Sequence, residues 1–252
     1  WRDELLKDYT MNQRANLSVS GGGKIARYYV SGSFNKDNGI MKVANQNNFN
    51  SNIDLKSYSL RANVDMELTT TTSMSVRLAG TFDDYTGPID GGTQVYRNIM
   101  RTNPVLFPAY YPTDEDHKYV QHIMFGNYET GNYLNPYADM VKGYKDYSKS
   151  NMSAQLELKQ NLRFITDGLS VRGLMNTSRY SYFDVTRAYA PFYYHASTWD
   201  KVTNTYKLTA LNEEGGTEYL NYNPGTKNVN SELYIEGSVN YNKTFNKDHG
   251  IS

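Results

Sequence analysis

The side chains of this sequence that could do chemistry are rings, carboxylates and four histidines, with no cysteine among them. The densest ring runs are Tyr110-Tyr111-Pro112 and Pro191-Phe192-Tyr193-Tyr194-His195, followed by Trp199. A ring presents a flat apolar face and, in Tyr, His and Trp, a polar edge. That combination suits stacking on a pyranose or gripping a peptide backbone. Tyr110, Tyr111, Tyr193, Tyr194, His195 and Trp199 are therefore the candidate ligand-binding residues. The competing role for each is packing loops together or meeting a partner protein.

Other groupings carry less. Asp114-Glu115-Asp116-His117 collects oxygens that a hard cation would take, but it lacks the glycine and ligand spacing of an EF-hand, so a solvated acidic loop is expected. His117 and His122 lack the i, i+4 spacing and intervening Glu of a zinc helix, and His195 and His249 have no evident partners. Asp83-Asp84 and Glu213-Glu214 are adjacent charges and nothing more. There is no nucleophile elbow, phosphate loop or dinucleotide fingerprint. The sequence thus predicts a non-enzyme without metal or cofactor. Lys+Arg and Asp+Glu balance at 26 each, so no broad basic field invites nucleic acid.

The elements that would position the rings are strands. Twenty-four tyrosines and 14% aromatic residues coexist with a mean hydropathy of −0.70, a chain both wet and ring-rich. Alternation with period two puts successive side chains on opposite faces. From Tyr58 to Leu68 the even positions are Tyr, Leu, Ala, Val, Met and Leu, against Ser59, Arg61, Asn63, Asp65 and Glu67. Residues 73 to 83 set Met74, Val76, Leu78, Gly80 and Phe82 against Ser75, Arg77, Thr81 and Asp83. Residues 151 to 164, 169 to 180 and 232 to 241 repeat the pattern, Gln160 being the one lapse, and 14 to 20 and 25 to 35 show it more weakly. Seven strands are expected.

Their connections alternate too. Tight turns at Gly21 to Lys24, Thr69 to Thr72, Thr166 to Gly168 and Asn246 to Gly250 alternate with long stretches at about 36 to 57, 84 to 149 and 181 to 230. Short turns on one side and long loops on the other predict an all-β, antiparallel up-and-down transmembrane β-barrel with long extracellular loops. Mid-strand charges keep to the polar face, as they must where a lipid-facing Arg or Lys costs roughly 2–4 kcal/mol at the midplane. Asp84, Arg179 and Lys243 break parity and are expected near strand ends. Arg61, Asp65, Glu67, Arg77, Glu157, Lys159, Arg172 and Glu236 should face the lumen or a plug, their mixed signs favouring salt bridges over an ion filter. Phe34, Tyr58 and Phe82 beside the long loops, and Phe164 and Tyr241 towards the short turns, suit aromatic girdles.

No stretch approaches the roughly 20 apolar residues of a membrane-spanning helix, and no signal peptide is visible. Both ends, at Trp1 and at Gly250-Ile251-Ser252, read as cut. Seven strands do not close an even-numbered bacterial barrel, so further strands are expected outside this sequence. Within the second long connection, Val95, Ile99 and Met100 sit at helical spacing, predicting a short amphipathic helix from Gln94 to Thr102. The alternative architecture is a soluble β-sandwich or solenoid, recognising carbohydrate through its tyrosines.

Several strings resemble the barrel of SusC/RagA-family TonB-dependent transporters. Trp1-Arg2-Asp3-Glu4-Leu5-Leu6 is similar to an aromatic-acidic segment of that family, and Asn16-Leu17-Ser18-Val19-Ser20-Gly21-Gly22 with Tyr28-Tyr29-Val30-Ser31 to its hairpin. Asp37-Asn38-Gly39-Ile40-Met41-Lys42 matches a D/E-x-G-I-x-K string, and Tyr58 to Asp65 a Y-x-x-R-x-N-x-D strand. Arg101-Thr102-Asn103-Pro104 with Tyr110-Tyr111-Pro112 resembles part of a large outer loop. The resemblance covers residues 1 to about 112. It implies a 22-stranded barrel with an internal plug, energised through TonB, capped by a SusD-like lipoprotein, sitting in the outer membrane of a Gram-negative bacterium and paired as transporter–lid dimers. The implied cargo is a glycan, with an oligopeptide as the alternative, and plug and TonB box would lie outside this sequence.

Overall fold

The computed structural model describes residues 1–43, 47–131, 133–245 and 249–251. In chain order the elements are α1 (Arg2–Leu5), β1 (Gln13–Gly22), β2 (Ala26–Asn38), β3 (Asp54–Glu67), β4 (Thr72–Gly87), α2 (Gly91–Arg101), β5 (Tyr110–Tyr111), β6 (Met124–Gly126) and α3 (Pro136–Val141). There follow β7 (Gly143–Asn161), β8 (Leu169–Ala188), β9 (Phe192–Asp200), β10 (Thr205–Ala210), β11 (Asn221–Tyr241), β12 (Lys243–Phe245) and β13 (His249–Ile251). The chain is mainly β, and no helix among the described residues is long and apolar enough to cross a membrane.

The alternating segments form one seven-stranded sheet in the order β1-β2-β3-β4-β7-β8-β11, each neighbour antiparallel. Register keeps the two faces chemically distinct. Val30, Ala62, Leu78, Ala154, Thr177 and Leu233 share one row, and Ser31, Arg61, Ala79, Ser153, Ser178 and Glu232 share the next. A one-residue slip would exchange every side chain between faces.

The strands run further into the long connections than alternation indicates. β7 begins at Gly143, β8 continues to Ala188 and β11 begins at Asn221, leaving connections of 39–53, 88–142 and 189–220. These outer strand ends carry Tyr, Ser, Lys and Asp on both faces, so their ladders are backbone bonds that side-chain periodicity does not report. Pro224-Gly225 sits at a register irregularity within β11, where the Thr226 amide donates to Asp184 Oδ1 at 2.7 Å. Arg179 consequently lies in the middle of β8 and not near its end.

At the opposite end β7 stops at Asn161, short of the expected 164. The Leu162 amide donates to the Leu169 carbonyl at 2.8 Å and the Ile165 amide to the Leu162 carbonyl at 2.8 Å, so Leu162 and Phe164 belong to the turn. The lapse at Gln160 has a local reason: its Oε1 accepts from Thr72 Oγ1 at 2.5 Å and its Nε2 donates to Thr71 Oγ1 at 3.1 Å, tying adjacent turns. The turn read at Asn246 to Gly250 lies largely outside the described residues; its flanks pair as β12 and β13.

The hairpin turns are staggered. Arg27, Asp65, Ser75 and Glu157 lie in one row, yet the first hairpin ends at Gly22↔Arg27, the second at Glu67↔Ser73 and the third at Asn161↔Ser170, each two residues beyond the last. One residue per strand, ~3.3 Å along against ~4.8 Å across, inclines the line of turns by roughly 35° to the pairing rows.

The hydrophobic core lies in the connections and not beneath the sheet. On the apolar sheet face Leu17 is 74%, Leu60 60%, Leu233 64% and Val239 70% exposed, and among the described residues nothing covers them. Leu5, Leu6, Met41, Val95, Ile99, Phe125, Ala138, Met140 and Val141 instead bury one another, joining α1, α2, α3 and β6. The helix expected at 94–102 is α2, with Val95 and Ile99 buried one turn apart. Met100, expected on the same face, is exposed; about 100° per residue turns it away from Ile99. Asn98 takes the inward place and donates to Asp139 Oδ2 at 2.7 Å.

Candidate functional site

The three connections and the N-terminal segment form a cap at one end of the sheet, and Asn135 shows how it is fastened. Its Oδ1 accepts from the Tyr137 and Ala138 amides at 2.9 and 3.1 Å, capping α3, whose first residue is Pro136. Its Nδ2 donates to the carbonyls of Ala109 and Gly126, both at 2.8 Å, so one buried side chain ties a helix start to two passing segments. Lys142 closes the other end of α3, its Nζ 2.9 Å from both Asp90 and Asp139. Burial opposes the Lys142 charge, but the two carboxylates outweigh it and hold its ammonium above the ordinary lysine range.

A second sheet, β10-β9-β6-β5, carries most of the candidate rings; β6 and β9 are its one parallel pair. Tyr111 and Tyr194 are buried with Met124 and Leu208. Tyr193 packs on the larger core, and burial, with the Asp139 charge adding, pushes its hydroxyl up to about 12. Tyr137 is likewise pushed up to about 12 by burial, with Tyr110 and Glu4 contributing. Both phenols stay protonated at neutral pH. Tyr110 remains 41% exposed, its ring 5.5 Å from Tyr137. Trp199 is 56% exposed and stacks on Tyr206 at 6.2 Å and 14°. His195 is half-buried on β9, opposite Thr209. The six candidates therefore do not form one surface: Tyr110 and Trp199 look outward, whereas Tyr111 and Tyr194 are core.

Sequence spacing missed the histidine cluster. His122 lies face to face with Phe192 at 3.8 Å, its Nδ1 3.0 Å from Glu218 Oε1 and its Nε2 2.9 Å from the Tyr194 hydroxyl. Glu218 is 96 residues away along the chain, so no local pattern could have found the pair. His117 packs edge-on to Tyr194, and its Nδ1 meets Asp114 Oδ1 at 2.6 Å. Because the same oxygen accepts the His117 amide at 2.8 Å, the acidic run closes on itself as a turn.

On the polar sheet face, six of the eight expected charges come together. Arg77 pairs with Asp65 at 2.5 Å, and Ser75 Oγ donates to the same carboxylate at 2.7 Å. Arg172 donates to Glu157 at 3.0 Å and to Glu236 at 2.7 Å, while Lys159 meets Glu157 at 2.8 Å. The two Arg172 bonds cross β7, β8 and β11 laterally, while the Lys159 bond runs along β7. Arg61 and Glu67 make no ion pair among the described residues.

The sheet thus has one polar face cross-linked by ion pairs and one apolar face that is uncovered among the described residues. The chain is similar to a TonB-dependent receptor. That protein, from Formosa agariphila, is 23% identical over 255 residues, covering 99% of this chain and 20% of the receptor. The chain thus spans about a fifth of the length of that curated relative. No protein-family model matches it.

Proposed function

We propose that the chain is part of the transmembrane β-barrel of a TonB-dependent outer-membrane importer of the SusC/RagA type, taking up oligosaccharides beneath a SusD-like surface lipoprotein. The observation that carries the reading is the exposed apolar face of the seven-stranded sheet. Water would penalise that face by about 25 cal/mol for each Å² of apolar surface left uncovered, whereas lipid would not. A soluble sandwich would need a second layer over it.

Three further features support the reading. The stagger of one residue per strand matches the roughly 35–45° strand tilt of such barrels. Phe34, Tyr58 and Phe82 share one row below the cap, with Phe34 and Tyr58 5.2 Å apart, as in an aromatic girdle. The similarity to a TonB-dependent receptor runs along the whole chain. In this reading seven of 22 strands are present, the charged face turns to the lumen and plug, and the protein has no catalytic role. Tyr110 and Trp199, the outward rings of the cap, would meet sugar or lid.

The test is fractionation of the native full-length protein. It should partition with the outer membrane, require detergent, and migrate faster unheated than boiled on a denaturing gel. A protein soluble without detergent would overturn the proposal. Calorimetry of the purified transporter–lid pair with oligosaccharides and oligopeptides then decides the cargo class.

A further inference from the structure

The apolar sheet face carries one cation out of place. Arg179 is exposed in mid-β8 on the same face as Val171 and Met175, and among the described residues it makes no hydrogen bond or ion pair. Directly beside it a trough of about 540 Å³ opens, lined by Leu60, Ala62, Leu78, Gly80 and Met152, with Arg179 at its rim. The trough exists because small residues alternate with large ones: Gly32 and Gly80 flank Leu60 in one row, and Ala62 and Ala154 flank Leu78 in another.

Its height explains how the charge is tolerated. Arg179 stands about ten residues above Leu169, where the turn into β8 ends; at ~3.3 Å each and an incline of roughly 35°, the rise is about 27 Å. An apolar band of about 25 Å puts the guanidinium at the headgroup boundary, where a lipid-facing Arg is tolerated far better than at the midplane. The ring belt also has a gap there, since Phe82 pairs with Ser150 on β7. An unpaired, planar five-donor cation above a dry trough complements a phosphate whose acyl chain points downward.

We infer that Arg179 and the trough hold one phosphate-bearing membrane lipid, the phosphate on the guanidinium and an acyl chain along Leu60, Leu78 and Met152. This rests on the membrane-barrel reading above. The full-length protein, purified in detergent, is titrated with phosphatidylglycerol and with diacylglycerol of the same chains, and bound lipid is counted by native mass spectrometry. One phosphatidylglycerol should be retained at least tenfold more strongly than diacylglycerol. Arg179→Gln should abolish that preference and Arg179→Lys keep much of it. Ala154→Leu, which narrows the trough and leaves the charge in place, should weaken both lipids. Equal retention by Arg179→Gln, or no preference for the phosphate, overturns the site; an unaffected Ala154→Leu overturns the trough. An unchanged circular dichroism spectrum separates these results from misfolding. A protein that stays monodisperse without detergent fails the barrel reading itself, whatever the variants do.

Discussion

His122 lies flat on Phe192, ring centroids 3.8 Å apart, with its two ring nitrogens bridging Glu218 and Tyr194. The contact joins the segment before β6 to the start of β9 and to the end of the last connection, three parts of the chain with no covalent reason to meet. The cap is therefore a folded unit in its own right, and not a set of independent loops.

Replacing His122 with Ala should loosen that unit. An aromatic pair contributes about 0.5–1.5 kcal/mol and each hydrogen bond about 1 kcal/mol. Amide hydrogen exchange in β6 and β9 of the detergent-solubilised protein should accelerate by at least tenfold, with the main sheet unchanged. Unaltered exchange would mean that the two connections are held elsewhere.

Asn135→Ala should be more damaging, because it uncaps α3 and strips two buried carbonyls of their donor. Loss of the cap costs about 1 kcal/mol and each orphaned carbonyl about 1–3 kcal/mol. Asn135→Asp keeps the acceptor but not the donor, and should rescue little. Limited proteolysis between α2 and β7 checks both variants; protection equal to the parent would refute the assignment.

Burial pushes the phenols of Tyr137 and Tyr193 up to about 12, above the ordinary value of about 10. A raised folded value means that their stabilising contribution is full below pH ~10 and is lost as pH climbs towards 12. Tyrosinate absorbance should rise in two phases, the later one coinciding with loss of the cap's near-ultraviolet dichroism. A single phase near pH 10 would contradict their burial.

On the polar face, Arg172→Met removes two carboxylate partners at once, whereas Glu236→Gln removes one. Ion pairs open to water are screened and individually weak. The Arg172 variant should lower the denaturation midpoint by about twice as much, and a double-mutant cycle should give only the small coupling of a solvent-screened pair. A larger coupling would mean that this face is drier than its exposed geometry indicates.

Ile235→Arg decides what the apolar face touches. Ile235 is 69% exposed and six residues above Tyr241 at the lower end of β11, a rise of about 16 Å into a band of about 25 Å, between midplane and upper boundary. In lipid the substitution should cost roughly 1–3 kcal/mol, between the midplane and boundary values, while a water-facing position would register within about 0.5 kcal/mol. Folding efficiency into liposomes measures the difference.

Seven strands and their two faces were determined by the sequence alone, because alternation is a local, period-two property that any slip would destroy. The polar network was legible as a face but not as partners: Arg172 and Glu157 read simply as charges until register set β7 beside β8. Strand length was not legible, since outer ends such as Tyr144 to Lys149 pair through backbone groups that leave no side-chain signature. The cap was hidden altogether. Leu6 with Met41, Asn98 with Asp139 and His122 with Glu218 are long-range contacts, and which rings are buried follows from those contacts. Tyr110 and Tyr111 are identical neighbours in sequence, yet successive strand residues point opposite ways; only the packing of β5 on β6 decided which of them met the core and which the solvent.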